Sequence, residues 1–346
     1  MLHSAVKLPK WLDDYIFKQL GASYDVKGKE AEHNKDPDDK KVREYLGTYF
    51  PRSYGEVRCI AENLSQNDKY CKFLLRKYYK PLLTNHGVRK EKISILDLGC
   101  GTGGDIIGLL SVLQEKLPPP MQIDIWAFDV NFTALKYMKA VVDAFAVKYD
   151  RQINTHPIFY DVKPQLGFSQ IADYVSSLQF DYILCCKSCS ELLSDHVLIQ
   201  PYLSVAKTFS TMLADCGIML LLDVASQPDG CEYLPKEMND ELNSFISLNT
   251  EFCTLVPKPC SAHPECKSHC YMLKQFSVSH SGCPFPKDDS NVCYRIICRK
   301  QLRGQIDVSD QVHNKRYVIH QDNHFGRRCC PFFDEGTEVD AFDISS

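Results

Sequence analysis

The sequence predicts an α/β fold in which helices flank a mostly parallel sheet. Short apolar runs with the composition of buried strands alternate with longer segments whose apolar residues recur at helical spacing. A glycine-rich stretch at 99–104 joins the first of these strands to the helix that follows it. Strands that alternate with helices in this way form βαβ units, in which successive strands run parallel.

The alternation is clearest between residues 93 and 225. The predicted strands lie at 93–99, 122–130, 153–161, 180–186 and 217–225. The predicted helices lie at 105–117, 133–149 and 196–214. Three prolines at 118–120 end the first helix, because proline lacks the N–H group that a helix interior requires. Two further strands, at 251–257 and 291–300, follow where the alternation becomes weaker.

Three regions are predicted along the chain. Residues 1–90 form a helical N-terminal extension, in which the highly charged segment 26–44 is a linker. Residues 91–300 form the main domain, with a cysteine-rich insertion at 258–290 between its last two strands. Residues 301–346 form a polar C-terminal tail.

The composition is that of a globular protein, with 44% hydrophobic and 24% charged residues. No uncharged apolar run approaches the roughly 20 residues that a membrane-spanning helix needs, so no membrane partner is expected. The N-terminus has no secretory apolar core and meets Asp13 and Asp14 too early for a typical transit peptide. An intracellular location is therefore expected, cytoplasmic or nuclear rather than mitochondrial.

Charge and cysteine content narrow the range of partners and compartments. The formal net charge of −4 gives no overall basic field of the kind that indicates nucleic-acid binding. A local basic patch at 74–80 is the best candidate for such a surface, and a solvated helix face is the plainer alternative. The 17 cysteines occur without a secretory signal, which favours reduced thiols over a disulfide framework.

The motif with the clearest chemistry is DLGCGTGGD at 97–105, where the first strand turns into the first helix. Glycines there allow positive φ and let a ligand approach the backbone closely. The helix N-terminus points N–H groups at the same place. Asp129 ends the second strand, where its carboxylate is expected to accept hydrogen bonds from both hydroxyls of a cofactor ribose. The alternative is a strand-end acid that faces water.

Two cofactor classes fit this motif. Gly99, Gly101 and Gly104 satisfy the spacing of a dinucleotide-binding fingerprint, so a nicotinamide cofactor stays open. Asp97, two residues before the first of these glycines, favours the other class. The run from Asp97 to Gly103 resembles the first motif of the class I S-adenosylmethionine-dependent methyltransferases, Asp/Glu-x-Gly-x-Gly-x-Gly.

The resemblance covers about residues 90–300 and implies a Rossmann-like fold with a seven-stranded, mostly parallel sheet. It implies S-adenosylmethionine as the cofactor, with the first acid of the motif organising the loop and the amino-acid end of the cofactor. The cofactor-binding residues implied in the motif are Asp97, Gly99, Gly101 and Gly103. Asp161, after the third strand, resembles the acid that contacts the adenine amino group, and a turn aspartate is an equal alternative.

The run FDYI at 180–183 resembles the start of strand four in this family, and the stretch that follows it then lies beside the transferring methyl group. The polar candidates in that stretch are Lys187, Ser188, Ser190 and Glu191. We take Ser188 and Glu191 as candidate catalytic residues, Glu191 as a general base or as a group that orients an amine. The alternative is that Glu191 begins the next helix.

Two negative indications concern the same stretch. The Asn/Asp-Pro-Pro-aromatic motif of the methyltransferases that act on exocyclic amines is absent after this strand, which argues against that class. Cys185 and Cys186 are expected to pack within the sheet rather than act as nucleophiles.

A cysteine-rich segment stands between the last two predicted strands. It contains Cys260, His263, Cys266, His269 and Cys270. Thiolate and imidazole ligands suit zinc or an iron–sulfur cluster, although the spacing is not that of a standard zinc finger. We expect one metal site that takes Cys283 or Cys293 as its further ligand, and a cysteine-rich loop without metal is the alternative.

A narrower resemblance is to the methyltransferase-like proteins associated with assembly of mitochondrial small ribosomal subunits, and to their bacterial relatives. The Pro-Cys-x5-Cys pattern at 259–266 and the run SEL at 190–192 resemble segments of that family, in which the cysteines bind an iron–sulfur cluster. Tyr271 departs from the family's histidine, and 223–225 reads Asp-Val-Ala instead of Glu-Pro-Gly. Residues 99–105 also resemble the messenger-RNA cap guanine-N7 methyltransferases, but nothing later in the chain supports that match.

Three functions therefore stay open. The first is an S-adenosylmethionine-dependent methyltransferase, with RNA or a ribosomal particle as the partner that the narrower resemblance implies. The second is a cofactor-binding ribosome-assembly or scaffold protein without catalysis, because a glycine loop does not prove turnover. The third is a nicotinamide-dependent enzyme on the same fold.

Overall fold

The chain divides into two compact units. The computed structural model describes residues 5–25, 37–71, 74, 92–117, 121–257, 274–306, 316–317, 338–339 and 343–344. The first unit consists of Met1–Ser65, Leu74–Val162 and Gln275–Ser290. The second unit consists of Gln66–Phe73, Lys163–Lys274 and Asn291–Ser346.

Three parallel strands form the core of the first unit. In spatial order they are β2 (Lys92–Leu98), β3 (Gln122–Asp129) and β4 (Ile153–Phe159). Nearly every residue of β2 is buried, as expected for a parallel strand that is covered on both faces. Leu98 lies opposite Phe128, and Asp129 lies opposite Phe159, so the carboxyl ends of the three strands lie together.

Helices connect and precede these strands. They are α1 (Lys10–Asp14), which continues into a π-helical turn at Tyr15–Gln19, α2 (Asp39–Gln66), α3 (Gly104–Lys116) and α4 (Phe132–Tyr149). Asn131 begins α4 as its N-cap, because its side-chain oxygen accepts hydrogen bonds from the N–H groups of Thr133 and Ala134, both at 3.0 Å. The predicted strand–helix–strand alternation is thus present from 92 to 159.

Helix α2 begins inside the segment that the sequence predicts to be a charged linker. Residues 39–44 of that segment form the first turns of the helix. Asp39 pairs with Arg43 and Lys40 with Glu44, one turn apart, which stabilises a helix that has few apolar anchors there. Val42 is the first buried residue of α2.

Of the described strands that precede β9 (Asp288–Arg299), two lie outside the predicted set. They are β1 (Ala5–Lys7) and β8 (Lys274–Ser279), which pair in parallel with Val6 opposite Val278. The position of β8 falls inside 258–290, which the sequence predicts to be an insertion. The seven predicted strands therefore do not account for every strand of the described residues.

Four strands form the core of the second unit. In spatial order they are β5 (Phe180–Cys186), β6 (Leu213–Val224), the part of β9 (Asp288–Arg299) from Asn291 onward, and β7 (Phe252–Val256). β5 and β6 run parallel, whereas β9 runs antiparallel to both β6 and β7. Cys185 and Cys186 are buried within β5, as predicted.

The helices of the second unit differ more from the prediction. They are α5 (Ser169–Val175), α6 (Ser188–Ser194), α7 (Pro201–Phe209), α8 (Leu234–Leu248) and α9 (Lys300–Ile306). The helix predicted at 196–214 is restricted to α7, because β6 already begins at Leu213. Neither α6 nor α8 was predicted as a separate helix.

These βαβ connections confirm the predicted α/β, Rossmann-like fold. Within the predicted tail, α9 is followed by a short parallel pair, β10 (Arg316–Tyr317) and β11 (Glu338–Val339). Among the helices that the structure describes, none combines the length and the apolar character needed to cross a bilayer.

Candidate cofactor and acceptor sites

The glycine loop of the first unit, residues 99–103, is folded back onto the end of β3. Gly99, Gly101 and Gly103 have positive φ values of 76°, 50° and 84°. The N–H groups of Gly99 and Cys100 donate to the carbonyl oxygen of Phe128 at 2.8 and 3.1 Å. The N–H of Gly103 donates to the carbonyl of Cys100 at 2.8 Å and closes the turn from which α3 starts. The predicted strand–turn–helix geometry is present.

The side chain of Asp129 also holds the glycine loop in place. Its Oδ2 accepts a hydrogen bond from the N–H of Gly101, and its Oδ1 accepts one from the N–H of Asn131, both at 2.7 Å. Burial raises the pKa of Asp129 to about 6, although these backbone donors act in the opposite direction. A carboxylate has about four lone-pair sites, so acceptance from ribose hydroxyls is compatible with these bonds and stays a prediction.

Three carboxyl groups surround the glycine loop. Asp97 is fully buried at the end of β2, and Asp105 is buried in the first turn of α3. Burial raises the pKa of the Cys100 thiol well above its ordinary value, and the nearby charges of Asp129, Asp97 and Asp105 raise it further. The negative potential at this loop favours a cationic ligand over an anionic one.

Tyr45 of helix α2 lies against the glycine loop, a contact that the sequence did not predict. A Cβ atom at Gly101 would lie 3.3 Å from Cε1 of Tyr45, so the tyrosine ring covers this part of the backbone. Tyr45 also contacts Tyr49, with ring centroids 4.7 Å apart. The spacing of these two tyrosines, one helical turn apart, is the local signal for a helix in this segment.

Asp161 lies two residues beyond the end of β4. The preceding N–H, that of Tyr160, donates to the carbonyl of Asp129 at 3.0 Å, which places this segment beside the end of β3. Asp161 is half-buried, and its charge adds to burial in raising the pKa of Tyr160. The predicted contact with an adenine amino group stays a prediction.

In the second unit, the predicted catalytic residues lie in α6, directly after β5. Lys187 joins the strand to the helix with a φ of 65°, which is uncommon for a residue other than glycine. Its N–H donates to the carbonyl of Leu222 at 2.7 Å. Ser188 and Glu191 are half-buried in the first turn of α6, so Glu191 does lie where a helix begins. That position leaves its catalytic role a prediction.

Asp223 organises the start of α6 and was not predicted to do so. Its Oδ2 accepts hydrogen bonds from the N–H of Ser190 at 2.9 Å and from the hydroxyl of Tyr202 at 3.1 Å. Its Oδ1 accepts from the N–H of Val224 at 2.9 Å. Burial raises the pKa of Asp223 despite these donors. A buried carboxyl at the end of β6 thus fixes the segment that follows β5.

The predicted metal ligands Cys260, Cys266 and Cys270 lie outside the described residues, as does most of the basic patch at 74–80. Cys283 is described in the loop between β8 and β9, and its Sγ lies near His280 of the same loop and Asp288 at the start of β9. The alternative ligand Cys293 is buried within β9, opposite Asp223. The two candidate further ligands therefore belong to different units.

The sequence was also compared with known proteins. No family model matches it, and neither does any curated protein. A solved METTL16 methyltransferase domain is 9% identical, with coverage of 83% of this chain and 78% of that chain and a TM-score of 0.36. A human methyltransferase 10 domain containing protein is 8% identical, with coverage of 67% and 81% and a TM-score of 0.32.

A fibrillarin pre-rRNA processing protein of Methanococcus jannaschii is 16% identical. The match covers 60% of this chain and 67% of that chain, with a TM-score of 0.32.

Proposed function

We propose that this chain is an S-adenosylmethionine-dependent methyltransferase. The observation that supports this most directly is the glycine loop at the carboxyl end of β2, surrounded by the carboxyl groups of Asp97, Asp105 and Asp129. S-adenosylmethionine has a sulfonium and an ammonium group, and both positive charges are stabilised by such a site.

The same observation argues against a nicotinamide cofactor. Its pyrophosphate would lie against the glycine loop and the start of α3, as it does in dinucleotide-binding folds. In this chain the buried carboxyl groups of Asp97 and Asp105 lie near Cys100 of the same loop, which disfavours an anionic group beside it. Asp129 alone is compatible with both cofactors, because a ribose is present in each.

The residues of the first unit have complementary roles in this proposal. Asp129 accepts hydrogen bonds from the ribose hydroxyls while it holds the N–H of Gly101. Asp97 faces the amino-acid end of the cofactor, and Asp161 faces the adenine amino group. When bound, the cofactor supplies a cationic sulfonium from which a methyl group can leave, so the remaining task is alignment.

The residues of α6 act on the methyl acceptor in this proposal. Glu191 removes a proton from the acceptor or orients its amine, and Ser188 positions it. Asp223 is a positioning residue, because its bonds to Ser190 and Tyr202 fix the helix on which Glu191 stands. We propose RNA as the acceptor, supported by the sequence resemblance to the ribosomal-subunit-associated family.

The test begins with the cofactor. Isothermal titration is expected to show binding of S-adenosylhomocysteine and not of NAD. Gly101→Val is expected to abolish this binding, because Gly101 has a φ of +50° and the ring of Tyr45 lies 3.3 Å from the added Cβ position. Gly230→Val is the matched control, since Gly230 has a φ of +74° in the second unit with no atom within 4 Å of its Cβ position.

Transfer is measured separately, with methyl-labelled S-adenosylmethionine and RNA prepared from small ribosomal subunits. Labelling of RNA that is lost in Gly101→Val and kept in Gly230→Val supports the proposal. Binding of NAD in place of S-adenosylhomocysteine would contradict the cofactor assignment. Cofactor binding without transfer to RNA, protein or small molecules would instead identify a scaffold protein.

A further inference from the structure

A second group of chemically distinctive side chains lies in the loop between β8 and β9 and at the first residue of β9. His280, Cys283 and Asp288 bring a nitrogen, a sulfur and an oxygen within 4.8 Å of one another. They all belong to the first unit and are distinct from the residues proposed to bind the cofactor and the acceptor. From this geometry we propose that His280, Cys283 and Asp288 bind a zinc ion.

The imidazole of His280 is poorly satisfied by protein groups alone. Its side chain is fully buried, and its Nε2 lies 3.4 Å from Oδ2 of Asp288, which is long for a hydrogen bond. Its Nδ1 has no hydrogen-bond partner among the described residues. An ion bound at Nε2 would replace this long contact to Asp288 with two metal–ligand bonds, one to each residue.

The position of the His280 ring is fixed by aromatic contacts. The ring stacks on Phe17, with centroids 5.4 Å apart and planes within 7° of parallel, and it also contacts Tyr24 at 5.6 Å. The 3.4 Å between Nε2 and Oδ2 is close to the separation of about 3.3–3.4 Å that two tetrahedral bonds of about 2.0–2.1 Å to zinc impose.

Asp288 is oriented by partners on its far side. Its Oδ1 accepts hydrogen bonds from Nε of Arg52 at 2.9 Å and from the hydroxyl of Tyr24 at 3.2 Å. Its Oδ2 then faces His280. Carboxylates that bind metals are commonly held by such outer partners, which fix the ligand oxygen in place.

Cys283 completes the group from a more accessible position. It is half-buried, which leaves a route for an ion. The turn before it is anchored, since the N–H of Ser281 donates to Oδ1 of Asp13 at 3.0 Å. The three ligands are therefore held by contacts outside the loop itself.

The donor set selects the ion. A thiolate, an imidazole and a carboxylate together suit zinc, whereas magnesium and calcium prefer oxygen ligands only. The Cys283 thiolate and the Asp288 carboxylate offset most of the positive charge of Zn²⁺ and Arg52, and three protein ligands leave one tetrahedral position open. This site reassigns Cys283, which the sequence predicts to share a metal with Cys260, Cys266 and Cys270.

The test separates these two cysteine groups in the full-length chain. In a background with Cys260→Ser, Cys266→Ser and Cys270→Ser, the chelator-stripped protein is titrated with zinc against a chromophoric chelator. We expect one zinc ion per chain. Cobalt should give the thiolate-to-metal charge-transfer band and the intense visible bands of a tetrahedral site.

Single substitutions then identify the ligands. Cys283→Ser and His280→Gln should each lower zinc affinity at least about tenfold, and Cys283→Ser should remove the charge-transfer band. Cys231→Ser is the matched control, because Cys231 is another half-buried cysteine. Cys231→Ser should change neither the zinc affinity nor the charge-transfer band.

The outcome that overturns the proposal is also specific. Absence of zinc binding in the folded triple-serine background, or an affinity unchanged by Cys283→Ser, rules out this site. Where the triple substitution unfolds the chain by circular dichroism, Cys283→Ser alone should remove one zinc ion from the otherwise unchanged protein. An unchanged zinc count in that variant overturns the proposal equally.

Discussion

At the scale of single residues, Asp129 connects the proposed cofactor site to pH. Its pKa of about 6 lies within the range used for enzyme assays, and only the ionised form accepts charge-assisted hydrogen bonds from ribose hydroxyls. We therefore expect the affinity for S-adenosylhomocysteine to fall as the pH drops below about 6. The measurement is isothermal titration between pH 5 and 8, in wild-type protein and in Asp129→Asn.

The variant separates Asp129 from other titrating groups. Two charge-assisted bonds are each worth about 1.5–3 kcal/mol, so Asp129→Asn should bind at least about tenfold more weakly at pH 8. The affinity of the Asp129→Asn variant should change little as the pH falls below 6. A wild-type affinity that stays constant between pH 8 and pH 5 would mean that the Asp129 carboxylate does not contact the cofactor.

Glu241 gives a prediction about stability. It is buried on α8, where its Oε2 accepts a hydrogen bond from the N–H of Leu203 at 2.8 Å, and burial raises its pKa to about 8 from an ordinary 4.5. The folded chain holds this proton more tightly than the unfolded chain does. The resulting stability is fully present below pH 4.5 and is lost as the pH rises through 8.

Glu241→Gln cannot ionise, so its melting temperature should exceed that of wild type at pH 9, with a difference that shrinks towards pH 5. Scanning calorimetry at the two pH values checks this. Glu251→Gln, at an exposed glutamate, should shift the melting temperature similarly at both. Equal melting of Glu241→Gln and wild type at pH 9 would show that the glutamate ionises without cost.

Some of these residues could be predicted from the sequence, and others could not. Asp129 was predictable because it ends an apolar strand shortly after a glycine motif, so the signal is local. The role of Asp223 depends on Ser190 and Tyr202, which lie 33 and 21 residues away and meet it only in the folded second unit.

At the scale of secondary-structure elements, the close contact between α2 and α3 depends on two glycines of α3, Gly104 and Gly108. A Cβ atom at Gly104 would lie 2.5 Å from the carbonyl oxygen of Phe50, and one at Gly108 would lie 2.7 Å from that of Tyr54. Both neighbouring atoms belong to the backbone of α2, so they cannot rotate away. The two helices therefore approach each other along these glycines.

We expect Gly108→Ala to lower the free energy of unfolding by about 1–3 kcal/mol, since overpacking outweighs the gain in helix propensity. Gly304→Ala is the control, because nothing lies within 4 Å of its Cβ position in α9. It should leave stability unchanged or raise it by up to about 1 kcal/mol. Urea denaturation measures both, and stabilisation by Gly108→Ala would contradict the described packing.

Two different reasons explain why some helices and strands were not predicted from the sequence. In α8 the apolar residues Leu234, Met238, Leu242 and Phe245 recur at helical spacing, so this helix is predictable from the local pattern. β1 has only three residues, too few to show an alternation, and its partner β8 is about 270 residues away. Local pattern cannot reveal a strand that depends on such distant pairing.

At the scale of the whole molecule, the glycine loop could be predicted from local sequence, whereas the proposed zinc site could not. The fold class and the glycine loop follow from alternation and from a motif of nine residues. The proposed zinc site takes its orientation from Tyr24 and Arg52, which are 264 and 236 residues from Asp288 in the chain. The clustered cysteines and histidines at 260–270 predicted metal binding, but the set of His280, Cys283 and Asp288 emerges only from the tertiary structure.

The hydrogen bonds that hold the glycine loop to β3 and to Asp129 have a thermodynamic consequence. Ordering a backbone residue costs about 1–2 kcal/mol of conformational entropy, and in this loop that loss occurs during folding. A ligand that arrives later meets a preorganised surface and orders little additional chain. Most of its interaction energy is then expressed as affinity, whereas the empty protein bears the entropy loss as reduced stability.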